Sequence, residues 1–140
     1  MTESDLVHLR TILDACTGLD EIRDRVRSAR NLDSRPNELA MAGRLLRGMG
    51  AAARSVTPVF HAVHSEIPWS RLIRMHDRLT NPHFGIDYEA VWATIEQDIP
   101  PLETQVRAAL TMADAWWGGD KGSRGDPGRS TLSRSVRVGP

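Results

Sequence analysis

The sequence predicts an all-α fold, a helical bundle followed by a disordered C-terminal tail. Three observations lead there. Apolar residues recur at intervals of three and four over most of residues 1–117. No period-2 run is long enough to form a strand. Asx, Thr and Pro residues punctuate the chain at helix-length intervals. At 140 residues and 15.6 kDa the chain suits one domain of ordinary size, and 40% apolar residues suffice for a core.

The elements follow in order. Leu6, Leu9, Leu13 and Cys16 form a first helical stripe, with Ser4 as its N-cap and Gly18 as its stop. A second, heavily charged helix is expected from Asp20 to Ala29, anchored by Leu19, Ile22 and Val26, and Asn31 to Arg35 reads as a loop. Pro36 opens a longer helix in which Leu39, Ala42, Leu46, Met49, Ala53 and Val56 share a face. Gly43, Gly48 and Gly50 weaken that helix by about 1 kcal/mol each relative to alanine, so a neighbouring helix is expected to approach closely there. Thr57-Pro58 reads as an N-cap with an N1 proline, and Ile67-Pro68 breaks the chain again. Trp69, Leu72, Ile73, His76, Leu79 and Thr80 make the next stripe, with Arg71, Arg74 and Arg78 on another face and Asn81-Pro82 as its end. Asp87 is expected to cap a helix carrying Tyr88, Val91, Trp92, Ile95 and Ile99. Pro100-Pro101 then separates it from a last helix with Leu102, Val106, Ala109, Ala113 and Trp116. Gly118 begins a segment rich in Gly, Ser and Arg, so residues 1–117 are read as the domain and 118–140 as the disordered tail.

Charge and cysteine content narrow the function. Lys plus Arg and Asp plus Glu each number 18, which disfavours a globally basic nucleic-acid binder and an acidic solvating chain alike. A single cysteine, Cys16, excludes an internal disulfide and a thiolate zinc cluster and fits a reducing cytosol. The acidic N-terminus has no apolar run behind it, and no stretch reaches the roughly 18 apolar residues of a bilayer span. The expected location is the cytoplasm.

Four of the five histidines lie between positions 61 and 83. His61 and His64 are neighbours on a helix and with Asp77 would suit zinc, yet neither HExxH nor a Cys/His spacing accompanies them, so no metal is expected. His76 lies on the apolar stripe with Leu72 and Leu79, where packing against a helix or subunit partner is its ordinary role. Arg124-Gly125-Asp126 and the Ser/Arg-rich end from Arg129 to Arg137 are read as solvated tail.

Residues 36–117 carry an ordered set of segments that resembles the HepT-like branch of the HEPN superfamily. They are Gly48-Met49-Gly50-Ala51-Ala52, Thr57-Pro58-Val59-Phe60, Glu66-Ile67-Pro68-Trp69, Met75 through Leu79, Phe84-Gly85-Ile86-Asp87, Val91-Trp92 and Asp98-Ile99-Pro100-Pro101-Leu102. The resemblance implies an antiparallel bundle of about five to six helices, able to dimerise through helix 69–81. In active members that helix carries Arg-Asn, three further residues and His-x-Tyr. Arginine suits the charge that builds on a phosphate under attack by a 2′-hydroxyl, and histidine handles a proton or orients the hydroxyl. No cofactor and no metal is implied. The tyrosine is the implied acceptor for nucleotides transferred by a partner, a minimal nucleotidyltransferase.

This sequence departs from the motif at each position. His76, Asp77, Asn81 and His83 stand where the arginine, asparagine, histidine and tyrosine would be. Asn81 exchanges no proton near neutral pH, and His76 lacks the planar fork of a guanidinium. An Arg-x4-His string survives as Arg78 and His83, but a shift of two residues turns a helical position by about 200°. The expectation drawn from these losses is a non-catalytic antitoxin that binds and blocks a nucleotidyltransferase toxin. Arg71, Arg74, His76, Arg78 and His83, on helix 69–81 and the loop 82–87, would meet the toxin's acidic cleft. The alternative is a metal-independent ribonuclease toxin that uses Arg78 with His83, or His76, and is neutralised by the nucleotidyltransferase.

Overall fold

The computed structural model describes residues 2–80 and 87–118, with Thr80 and residues 114–118 described by their backbone alone. All regular structure among them is helical, in agreement with the predicted class: α1 (Glu3–Val26), α2 (Ala29–Asp33), α3 (Pro36–Ser55), α4 (Pro58–Val63), α5 (Trp69–Thr80), α6 (Tyr88–Ala93), a π turn (Thr94–Asp98) and α7 (Ile99–Gly118). The chain divides into a unit Met1–Arg107 and a second from Ala108 onward. The first holds most of the core and the candidate site. The tail 119–140, with its Arg-Gly-Asp and Ser/Arg segments, lies outside the described residues.

The first two expected helices are one. Thr2, not Ser4, caps α1: its hydroxyl accepts from the Asp5 N–H at 3.1 Å, and the Asp5 carboxylate accepts from the Thr2 N–H at 3.2 Å. Gly18 is no stop. It lies inside α1 where a Cβ would stand 2.9 Å from Leu45 Cδ1, so its small size serves the contact with α3. The helix ends instead at Arg27, in the left-handed region at φ 75°, whose N–H reaches the Arg23 carbonyl at 3.0 Å. The expected loop 31–35 is also mostly helical, because the Ser28 hydroxyl accepts from the Asn31 N–H and nucleates α2.

α1 and α3 run antiparallel. Asp5 meets Thr57, Gly18 meets Leu45, and Arg25 meets Glu38, so one helix ascends as the other descends. Between them lie Leu9, Ile12, Cys16, Leu19 and Ile22 from α1 and Ala42, Leu46, Met49 and Ala53 from α3, all fully buried. Burial, then the charges of Glu103 and Asp20, pushes the Cys16 thiol up to about 12, which leaves it an inert core residue.

Pro100-Pro101 does not interrupt the last helix. The Ile99 N–H bonds the Thr94 carbonyl five residues back, and this wider turn makes room for a ring that an α turn would force onto the carbonyl four residues earlier. α6, the π turn and α7 are therefore one continuous rod, with Val91, Trp92, Ile95, Ile99, Leu102 and Val106 buried along it.

A carboxyl pair joins α1 to α7. Burial, then the hydrogen bond and charge of Glu103, raises Asp20 to about 6 against the opposing charge of Arg23. The same bond from Asp20, with that of Arg107, holds Glu103 below its ordinary range. Arg23 Nη1 stands 2.9 Å from Asp20 Oδ1 and opposes that rise. The folded state thus holds the Asp20 proton more tightly than the unfolded chain does. The contribution of Asp20 to stability is complete below its ordinary value near 3.8 and is lost as pH rises through about 6. Asp20→Asn keeps a donor toward Glu103 and removes the titration. It is expected to match the parent at pH 4 and exceed it at pH 7.5 by on the order of 2 kcal/mol, read by urea denaturation.

Candidate active site

The site is built on α5, which is held at its start by aromatic packing. Trp69 Nε1 donates to the His64 carbonyl at 3.0 Å, and its ring stacks on His61 at 4.6 Å. His61 Nε2 lies 2.9 Å from the Ala53 carbonyl, so the imidazole donates there and ties α4 back to α3. His64 is buried against Phe60, with Nδ1 3.4 Å from Glu66. Both histidines are thus braces for the α4–α5 turn. Asp77 pairs with other residues, so the trio His61, His64 and Asp77 does not assemble. Among the described residues no group of three or more His, Cys, Asp or Glu side chains is placed to hold a metal.

α5 approaches α3 closely at Gly50. A Cβ there would lie 2.2 Å from His76 Cβ and 2.7 Å from the Leu72 carbonyl oxygen. The expectation of close approach is met at this glycine, whereas Gly48 faces open space. This contact seats His76 on α3 with its ring half-buried. His76 Nδ1 faces Asp77 Oδ1 at 3.3 Å, and the same oxygen accepts from Arg54 Nη2 of α3. The hydrogen bonds from His76 and then Arg54 hold the Asp77 carboxyl below its usual range, so it is anionic at neutral pH.

Arg54 is the residue that the sequence reading missed. It lies 23 residues from Asp77 in the chain. Its one signal was spacing: Arg54 follows Gly50 by four, so the α3 face that receives His76 also presents this guanidinium.

Beside this cluster is a groove of about 810 Å³ between α5 and the α6–α7 rod. Leu46, Leu72, Val91, Ile99 and Leu102 supply its apolar lining, and Arg71, Arg74 and Arg78 edge it on the α5 side. Asp87 and Asp98 stand opposite, Asp98 within 3.3 Å of Arg71. The three arginines do share one rim, as their spacing implied, and it is interleaved with carboxylates. Asn81 and His83 lie outside the described residues, so the Arg78–His83 pair has no geometry here.

A family model described as Ribonuclease HepT-like matches residues 12–109. The chain belongs to the HepT-like family. Among its HepT-like relatives, a protein of Thermococcus cleftensis named Probable ribonuclease HepT is 30% identical over 103 residues, covering 74% of this chain and 93% of that protein. A Caldanaerobacter subterraneus protein named as a candidate RNase is 37% identical over 67 residues, 48% of this chain and 60% of its own length. A similarly named Methanocaldococcus jannaschii protein is 29% identical over 63 residues, 45% of this chain and 58% of that protein. No solved structure matches the chain significantly.

These findings overturn the expectation of a non-catalytic antitoxin. The family and the relatives carry ribonuclease names, and none is named for toxin neutralisation. The inference from motif loss considered α5 alone. Asp77 faces His76, and the Arg54 guanidinium reaches that carboxylate from α3.

Proposed function

We propose that this HepT-like chain is a metal-independent endoribonuclease, the toxin of a two-component module. One observation carries the reading: His76, the imidazole at the motif's arginine position, is paired through Nδ1 with an anionic Asp77 that also holds Arg54. A carboxylate on one ring nitrogen fixes the tautomer and orientation of an imidazole, which fits it for proton transfer. In the reaction a ribose 2′-oxygen bonds to phosphorus and the P–O5′ bond breaks. His76 takes the 2′-hydroxyl proton, and the 5′-oxygen takes one from water. The products are a 2′,3′-cyclic phosphate and a 5′-hydroxyl end. Arg71, Arg74 and Arg78 draw the RNA backbone along the groove rim.

No described helix is long and apolar enough to cross a membrane, and the proposed setting is the cytoplasm, where transcripts are. A minimal nucleotidyltransferase is the proposed partner. Position 83 carries histidine rather than a tyrosine acceptor, so restraint would come from docking over the arginine rim, and co-purification from a joint expression strain tests it.

Purified protein in EDTA is expected to cut total RNA to ends of the stated chemistry. His76→Ala is expected to slow cleavage by about 100-fold, and His83→Ala by less. Cleavage unchanged in His76→Ala would refute this assignment, and loss confined to His83→Ala would move the site to Arg78 and His83.

A further inference from the structure

Arg54 stands outside the motif helix, yet its guanidinium contacts Asp77 of the motif. We propose that Arg54, reaching across from α3, is the phosphate-binding cation of the site and replaces the arginine that position 76 has lost. The inference rests on the ribonuclease reading above and assigns a substrate contact within it.

The geometry favours Arg54 over the arginines of α5. A guanidinium carries five N–H donors in a rigid fork, and the contact with Asp77 Oδ1 is made by Nη2. About half of the side chain is exposed, at 53%, so donors beyond that contact face solvent. A carboxylate that grips one edge of an arginine orients the rest of the fork for a second acceptor. His76 lies on the same Asp77 oxygen, 3.3 Å away. A phosphate on the open edge of Arg54 would therefore lie beside the imidazole that handles the proton. Arg71, by contrast, is turned toward Asp98. Arg54 would neutralise the non-bridging oxygens as the 2′-oxygen bonds to phosphorus and the 5′-oxygen departs, and would itself exchange no proton.

The full chain is tested by cleavage of total RNA in EDTA and by fluorescence anisotropy with a labelled 2′-deoxy oligonucleotide, which has no attacking hydroxyl. Arg54→Ala is expected to slow cleavage about 100-fold. It should also weaken binding of the deoxy probe and lower its salt slope by about one. Arg54→Lys is expected to recover binding but little cleavage, because an ammonium has no fork. Arg44→Ala, elsewhere on α3, should match the parent. The Arg54–Asp77 pair is exposed, so these variants are expected to fold, and thermal melts check it.

Arg54→Ala that cuts and binds like the parent overturns the proposal and leaves the ribonuclease reading standing. A parent chain that cuts nothing, but whose probe binding depends on Arg54, sinks the nuclease and keeps the phosphate contact. A parent that neither cuts nor binds removes both. In an Asp77→Asn background, Arg54→Ala should still weaken binding. No further loss there would make Arg54 a positioning residue for Asp77 and overturn the assignment.

Discussion

Gly50→Ala is expected to destabilise the protein by about 3 kcal/mol, while Gly48→Ala, two residues earlier on α3, is expected to stabilise it by about 1 kcal/mol. The chemical change is identical, so the sign depends on the surroundings. The new methyl at 48 meets nothing within 4 Å, and the helix gains alanine's propensity. At 50 it would stand 2.2 Å from His76 Cβ and 2.7 Å from the Leu72 carbonyl oxygen. Carbon atoms pack at about 3.5–4.0 Å, so α5 must retreat by about 1.5 Å, and neither a Cβ nor a backbone carbonyl can rotate aside. The retreat also carries His76 and Asp77 away from Arg54. RNA cleavage should therefore fall in Gly50→Ala even at temperatures where it remains folded. Urea denaturation of both variants measures the first effect, and cleavage at 15–20 degrees below the Gly50→Ala midpoint (roughly the margin that keeps a small domain folded) measures the second. A Gly50→Ala protein as stable as the parent would show that α5 is not seated on that glycine.

Asp5→Ala is expected to cost about 3 kcal/mol, and Asp5→Asn nearly as much. The Asp5 side chain is fully buried. Its Oδ1 accepts from the Thr57 N–H at 2.9 Å, and its Oδ2 accepts from the Thr57 hydroxyl at 2.9 Å and the Thr2 N–H at 3.2 Å. One carboxylate thus closes the capping box of α1 and pins it to the α3–α4 junction. Asparagine cannot substitute, because either orientation of its amide turns an NH₂ toward a backbone N–H. The charge matters for pH as well. Burial pushes the Asp5 carboxyl up, but the bonds from Thr57 and Thr2 together outweigh it and hold the group below its ordinary value. Its contribution is complete above the unfolded value near pH 3.9 and is lost as pH falls through the lower folded one. Denaturation from pH 7 down to pH 2.5 should show this acid limb in the parent and a shallower one in Asp5→Asn. Equal limbs in the two proteins would show that the titration lies elsewhere.

The two carboxylates on α1 therefore act in opposite senses. Asp5 stabilises the fold when ionised, because donors surround it, whereas Asp20 stabilises it when protonated, because Glu103 faces it.

Three helix starts were legible in the sequence. Thr57-Pro58 opens α4 and Asp87 opens α6, where the Asp87 carboxylate accepts from the Glu89 and Ala90 N–H groups at 3.1 Å. Pro36 opens α3 as its fixed φ implied. The apolar face of α3 was read correctly through Ala42, Leu46, Met49 and Ala53. Residues with two roles were misread. Gly18 resembles a helix stop but is a packing contact, and Pro100-Pro101 resembles a break but follows a π turn. Of the candidate site, His76 and Asp77 were visible as departures from a motif, while their partner Arg54 was not.

By itself the sequence determined the helical class, the family, and the starts of α3, α4 and α6, because caps and apolar periodicity act within one or two turns of chain and need nothing beyond it. Only the tertiary structure decided which glycine is a contact, where the proline pair is accommodated, and that Arg54 of α3 joins His76 and Asp77 of α5. Those outcomes depend on which face of one helix meets which face of another, and that is set by the packing of the whole core rather than by any local run of residues.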